Sequence, residues 1–167
     1  MDSDHEIITI VDEQNRVIDA VPRHEMRAKG LIHRATYILV FNSAEQLFVQ
    51  KRTLTKDIYP GHYDIAAGGV VLAGESYEVS ARRELAEELG IDGVDLQILF
   101  DTFYDGDDNK VWGRVFSCNY DGRMVLQEEE VESGQFMSLK EVHELAEHQP
   151  FTPDGLEILK QVKLVSH

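Results

Sequence analysis

Apolar and polar residues alternate in short runs over much of the chain, and turn-forming residues separate the runs. Residues Glu6 to Asp12 and Val17 to Val21 flank the polar turn EQNR, which predicts a small hairpin ahead of the main body. The runs ATYILVFN (Ala35 to Asn42) and QLFVQKR (Gln46 to Arg52) predict a second hairpin about Ser43, Ala44 and Glu45. The segment TLTKDIYPGHYD contains Pro60-Gly61, a strong turn signal, and reads as a loop leading to a strand at Ile65 to Ala67. Further on, Val94 to Tyr104 and Lys110 to Tyr120 read as strands joined by DGDDN, and a short strand follows near Gln135 to Met137.

Three segments carry helical signals instead. From Glu78 to Leu89 nearly every residue is a good helix former, and Gly90 suits a left-handed C-cap. Ser138 and Glu141 have capping-box spacing, opening a helix through about Glu147. Thr152 before Pro153 places an N-cap ahead of a proline at the first helical position, starting a helix through about Leu164. Strands with helices on both sides predict one α/β domain, and 167 residues are enough for a single sizeable core.

The first of these helices carries the chemistry. Neighbours three and four apart share a helix face, so Glu84, Glu87 and Glu88 fall within an arc of roughly 100°. Ala81, Leu85, Leu89, Ala86 and Val79 form the other side, suited to packing on a sheet. Crowded carboxylates cost a helix a few tenths of a kcal/mol per pair, and two near the C-terminal end oppose its dipole. Either arginines and solvent compensate them, or a hard divalent cation does. Spacing favours the cation: Gly69, Glu75, Arg83, Glu84, Leu85, Glu87, Glu88, Gly90 and Ile91 stand at fixed offsets. Ordinary residue frequencies would produce that pattern about once in a million chains.

This stretch, GGVVLAGESYEVSARRELAEELGI, closely resembles the Nudix box, the signature of hydrolases acting on nucleoside diphosphates linked to another moiety. The resemblance implies the Nudix α/β/α sandwich with a mixed sheet, over residues 31–165, with residues 1–30 as an N-terminal hairpin extension. It implies Glu84 and Glu88 as ligands of Mg2+, with Mn2+ as a substitute, and Glu87 as catalytic base or third ligand. Gly69, Glu75, Arg83 and Gly90 would be structural in the box, with Arg83 orienting the glutamates by salt bridge.

The segment from Leu31 to Asp64 is similar to isopentenyl-diphosphate isomerase and its Nudix relatives. In that pattern Arg52 and Lys56 contact a diphosphate, and both sit where long cationic side chains can converge on phosphate. Isomerase chemistry itself lacks its residues: Gly68 stands at the catalytic cysteine, Val70 at a metal-binding histidine and Lys110 at a glutamate. His33 matches another isomerase metal-site histidine, which alone cannot hold that metal; a lone histidine here reads as structural. Glu130, in the cluster before the last short strand, is a minor candidate base on family grounds, against a plain charged loop.

Charge and composition narrow the partners. Sixteen Lys and Arg against 31 Asp and Glu give −15, which disfavours a long nucleic acid and anionic membranes. Hydrophobic residues make up 43%, without an apolar run approaching a bilayer span. The single Cys118 lies in an apolar strand-like run, so it reads as a packed residue, and a reducing cytoplasm is the expected compartment. A homodimer is compatible with the sequence. The expected function is Mg2+-dependent hydrolysis of a diphosphate linkage in a small nucleoside-diphosphate-type substrate. An isoprenoid-diphosphate enzyme and a catalytically silent nucleotide-binding module stand as alternatives.

Overall fold

A computed structural model describes residues 5–56, 58–107 and 109–165. The leading hairpin pairs β1 (Ile7–Val11) with β2 (Val17–Pro22), as the alternation predicts. A seven-residue helix, α1 (Arg23–Lys29), follows. The sequence reading missed it, because RHEMRAK buries only Met26 and shows no apolar period. Next come β3 (His33–Phe41), β4 (Leu47–Arg52), β5 (Tyr63–Asp64), the box helix α2 (Tyr77–Leu89), β6 (Gln97–Asp105), β7 (Lys110–Asn119), β8 (Val131–Met137), α3 (Leu139–His148) and α4 (Pro153–Val165).

The strands form one mixed sheet with helices on both faces. Alternation along β3 sends Ala35, Tyr37 and Leu39 into a core shared with Val142 of α3 and Ile158, Leu159 and Val162 of α4. Ile38 and Val40 enter the opposite core with Ala81, Leu85 and Leu89 of α2. A smaller cluster of Ile8, Ile10, Val21, Met26 and Val70 fastens the hairpin and α1 to the body.

Pairing within the sheet departs from the expected second hairpin. Strands β3 and β4 are joined only at the pair Phe41 and Leu47, next to their turn. Beyond it they part: β3 runs parallel to β7 over nine residues, from His33 beside Val111 to Phe41 beside Asn119, while β4 pairs with β8. Local alternation specifies a strand but not which distant strand completes its ladder, and here both partners lie more than 70 residues away. The expected strand at Ile65 to Ala67 is also displaced. The ladder stops at Asp64, and only Ala67 and Val70 bridge to β3, opposite Ile38 and Ala35. The wedge between the diverging strands is where the cavity forms.

The faces of α2 need a correction as well. Val79 is 55% exposed and Ala86 is exposed, whereas Glu88 is only 5% exposed. Tyr77, Ala81, Leu85 and Leu89 make the packed face, and Glu88 lies beside it, one turn beyond Glu84.

Candidate active site

The ends of α2 are fixed by local chemistry. Ser76 caps the N-terminus, its hydroxyl accepting the Val79 N–H at 3.1 Å. Gly90 terminates the helix at φ 66°, donating its N–H to Ala86 O. This places Glu84 and Glu88 against the loop of residues 68–75. A Cβ on Gly69 would lie 2.9 Å from Glu84 Oε1, so glycine there lets a carboxylate approach the backbone closely. Gly68 donates its N–H to Glu88 Oε2 at 3.3 Å. Its own φ is +134°, and a Cβ would meet Thr36 O at 2.1 Å. No side chain fits at position 68 without moving β3.

Arg83 gathers the acids. Its Nε and Nη2 donate to the two Glu75 oxygens at 2.7 and 2.9 Å, and its Nη1 to Glu84 at 3.0 Å and Glu87 at 3.3 Å. Burial raises the Glu75 carboxyl, but the Arg83 hydrogen bonds and the Leu72 N–H outweigh it and hold Glu75 below the usual range. Glu84 is shifted upward because burial outweighs Arg83. Glu88 is pushed well above the usual range, first by burial and then by the charge of Glu84, with Lys56 and the Gly68 N–H opposing. Glu87 differs in exposure: its side chain is 56% exposed.

Two cations approach from the β4 side. Arg52 donates from Nε and Nη2 to Ile58 O at 3.2 and 2.8 Å, with Nη1 3.8 Å from Asp64 Oδ2. Lys56 pairs with Glu130. The cavity in the β3–β4 wedge brings together Arg52, Lys56, Glu84, Glu88, Gly69 and Glu130. Glu75, Arg83, Glu87 and Gly90 stand outside its lining. His33 lines it, buried, with Nδ1–H donating to Leu31 O at 3.1 Å. Cys118 is in the core, where burial pushes its thiol up to about 11.

Sequence reasoning missed a second polar group on the same wall. Tyr37 donates its hydroxyl to Asp154 Oδ2 at 2.6 Å, and buried Asp64 accepts the Ala66 N–H at 3.2 Å. Burial, then the charge of Asp154, raises the Asp64 carboxyl to about 7. Three elements 27 to 117 residues apart supply this group, so spacing along the chain gave no sign of it.

A divalent cation fits this donor set. Glu84 and Glu88 bring their carboxylates to one wall of the cavity, and glycine at position 69 leaves room beside that of Glu84. Among the described residues no three acidic, histidine or cysteine side chains already form a closed cage. A cation here would take the two carboxylates and complete its shell with water or substrate oxygens, as Mg2+ does.

The NUDIX domain family model matches residues 31–160. The chain belongs to the Nudix family. It is similar to the uncharacterized Nudix hydrolase PA4841 of Pseudomonas aeruginosa, 48% identical over 158 residues, covering 95% of this chain and 94% of that one. The uncharacterized Nudix hydrolase YfcD of Escherichia coli is 44% identical, covering 92% of this chain and 84% of its own. Among solved structures, DR0079 from Deinococcus radiodurans superposes with a TM-score of 0.82 at 22% identity, covering 93% of this chain and 98% of that chain, which shows the shared fold. This Nudix hydrolase is thus an enzyme of the pyrophosphohydrolase class. None of its helices is long and apolar enough to cross a membrane, among the described residues.

Proposed function

We propose that the cavity hydrolyses the diphosphate linkage of a small nucleoside-diphosphate-type substrate with Mg2+ held by Glu84 and Glu88. The observation that carries this reading is that buried Glu88 and largely covered Glu84 face the same cavity as Arg52 and Lys56. Two mutually repelling carboxylates out of water are costly unless a cation joins them. Bound there, Mg2+ supplies charge neutralisation for the diphosphate oxygens and a water of lowered pKa.

The chain's own groups do the rest. Arg52 and Lys56 grip diphosphate oxygens, exchanging their contacts with Asp64 and Glu130 for phosphate. Arg83 holds Glu84 and Glu87 in position while Glu75 anchors Arg83 in turn. Glu87, exposed to solvent and tied to Arg83, takes a proton from the attacking water and passes it to solvent. Attack at one phosphorus forms a new P–O bond and breaks the bridging P–O bond, giving two phosphate-bearing products. The likeness to isomerase relatives enters only through Arg52 and Lys56. The lack of space at Gly68 supports hydrolysis over isomerisation, since no proton-carrying side chain fits there.

The test is a panel of nucleotide sugars, dinucleotides, coenzymes and isoprenoid diphosphates assayed for Mg2+-dependent phosphate release. With the best substrate, Glu84→Gln and Glu88→Gln are expected to lose more than about 100-fold in kcat while remaining folded. Wild-type turnover in both variants would remove the assigned metal site.

A further inference from the structure

We infer that Asp64 is a positioning residue for the substrate's diphosphate: it anchors Arg52 at the cavity wall and yields the guanidinium to phosphate when substrate enters. The inference rests on the reading of this cavity as the diphosphate site. It begins with the short ladder between β4 and β5. Asp64 lies opposite Gln50, and side chains two apart on a strand share a face, so Arg52 is the diagonal neighbour of Asp64. The Arg52 and Asp64 side chains are largely covered, 15% and 12% exposed, and both residues line the cavity.

The ion pair is long on one side and crowded on the other. Arg52 Nη1 stands 3.8 Å from Asp64 Oδ2, beyond the roughly 2.7–2.9 Å of a charge-assisted hydrogen bond, while Nε and Nη2 donate to the neutral Ile58 O. Asp64 Oδ1 accepts the Ala66 N–H at 3.2 Å, and a Cβ on Gly155 would lie 3.2 Å from the same oxygen, so the first turn of α4 closes over the carboxylate. That turn carries Asp154, whose Oδ2 accepts the Tyr37 hydroxyl at 2.6 Å. The titratable and charged groups facing Asp64 are thus Arg52 of β4, Asp154 of α4 and Tyr37 of β3, with Tyr59 next to Tyr37 and Tyr104 within reach of the Asp154 charge. Burial and Asp154 raise the Asp64 carboxyl to about 7, and Arg52 opposes them. A diphosphate that takes Arg52 brings negative charge to the place of that cation. Asp64 then takes up a proton from solvent on a carboxylate oxygen, which leaves it neutral and Arg52 bound to phosphate. Below about 7 the proton is already in place and affinity is highest. Above it the proton must be drawn from solution, so affinity falls about ten-fold per pH unit until the carboxyl of the complex ionises in turn.

Binding of methylenediphosphonate, a diphosphate analogue that cannot be hydrolysed, measured with Mg2+ by calorimetry, tests this without turnover. The analogue's own ionisation cancels in the ratio of Kd between wild type and Asp64→Asn. That ratio should be close to one at pH 5.5 and about ten at pH 8. At pH 8, buffers of different ionisation enthalpy should show the wild type taking up about one proton more than the variant. In an Arg52→Gln background the further Asp64→Asn change should alter Kd by less than about two-fold, because the carboxyl acts through the guanidinium. Carbon NMR of the aspartate carboxyls needs no variant: in the wild type the carboxyl that titrates near 7 should move upward when the analogue is added. A ratio that stays flat from pH 5.5 to 8, equal proton counts or an unmoved titration makes Asp64 only a structural partner of Arg52 and overturns the inference. So does an absence of binding in every protein. A rising ratio with no hydrolysis across the substrate panel keeps Asp64 in its role and removes the catalytic reading; hydrolysis with a flat ratio does the reverse.

Discussion

At the scale of single residues, the site is built from groups that would be unstable elsewhere. Arg52 and Lys56 are held by Ile58 O, Asp64 and Glu130 at the cavity wall, and the proposed function gives them the substrate's phosphate. Removing either by Arg52→Ala or Lys56→Ala should lower kcat/KM by about 10- to 100-fold on a verified substrate, through loss of charge-assisted bonds. Metal affinity measured by calorimetry should move far less, and unchanged steady-state kinetics in both variants would leave them as structural ion pairs with Asp64 and Glu130. Gly68 is constrained by φ and by space together. Gly68→Ala is expected to cost about 3 kcal/mol in urea unfolding, from strain plus the collision with Thr36 O. A loss under about 0.5 kcal/mol would mean that β3 yields easily there.

At the scale of elements, the box helix shows what each level of reading reveals. Its extent and C-cap were legible, because helix formers end at a glycine and caps are local. Its inward and outward faces were partly misread: treating acids as exposed puts Glu88 outside, whereas the loop backbone at Gly68 receives that carboxylate inside. The same limit explains β3 and β4. Both strands and their turn were legible, but their separation depends on β7 and β8, which no local pattern names. Of the candidate site, the box acids and the Arg52 and Lys56 pair could be found from spacing and resemblance, while Asp64, Asp154 and Tyr37 meet only through the fold. The cap is a direct test of the local contribution. Ser76→Ala should destabilise the protein by about 1 kcal/mol through the orphaned Val79 N–H, read as a lower urea midpoint at unchanged slope. An unaltered midpoint would show that tertiary packing alone holds the first turn.

For the whole molecule, buried Asp64 makes stability depend on pH. Its carboxyl rises from 3.8 to about 7 on folding, so the folded state binds the proton more tightly. Its contribution to stability is fully present below 3.8 and is lost as pH rises through about 7. Relative to Asp64→Asn, which cannot ionise, the wild type should lose up to about 1.4 kcal/mol per pH unit inside that window and nothing further above it. Urea unfolding of both proteins at pH 4.5, 6 and 8 measures the difference; parallel profiles would show that the folded carboxyl titrates normally.

The seam between the hairpin and the body has an optical consequence. The hairpin turn reaches across to the box helix: Asn15 Nδ2 donates to Tyr77 OH at 3.2 Å while Arg34 donates to Asn15 at 2.8 and 2.7 Å. On the same seam Trp112 donates its indole N–H to Glu13 O at 3.1 Å, with Phe103 beside its ring. Trp112 is the chain's only tryptophan, so its emission is a built-in gauge of this one junction. Lifting the hairpin turn would break the indole bond to Glu13 and open the ring to water, shifting its emission to the red, so the integrity of this junction can be followed without any added dye.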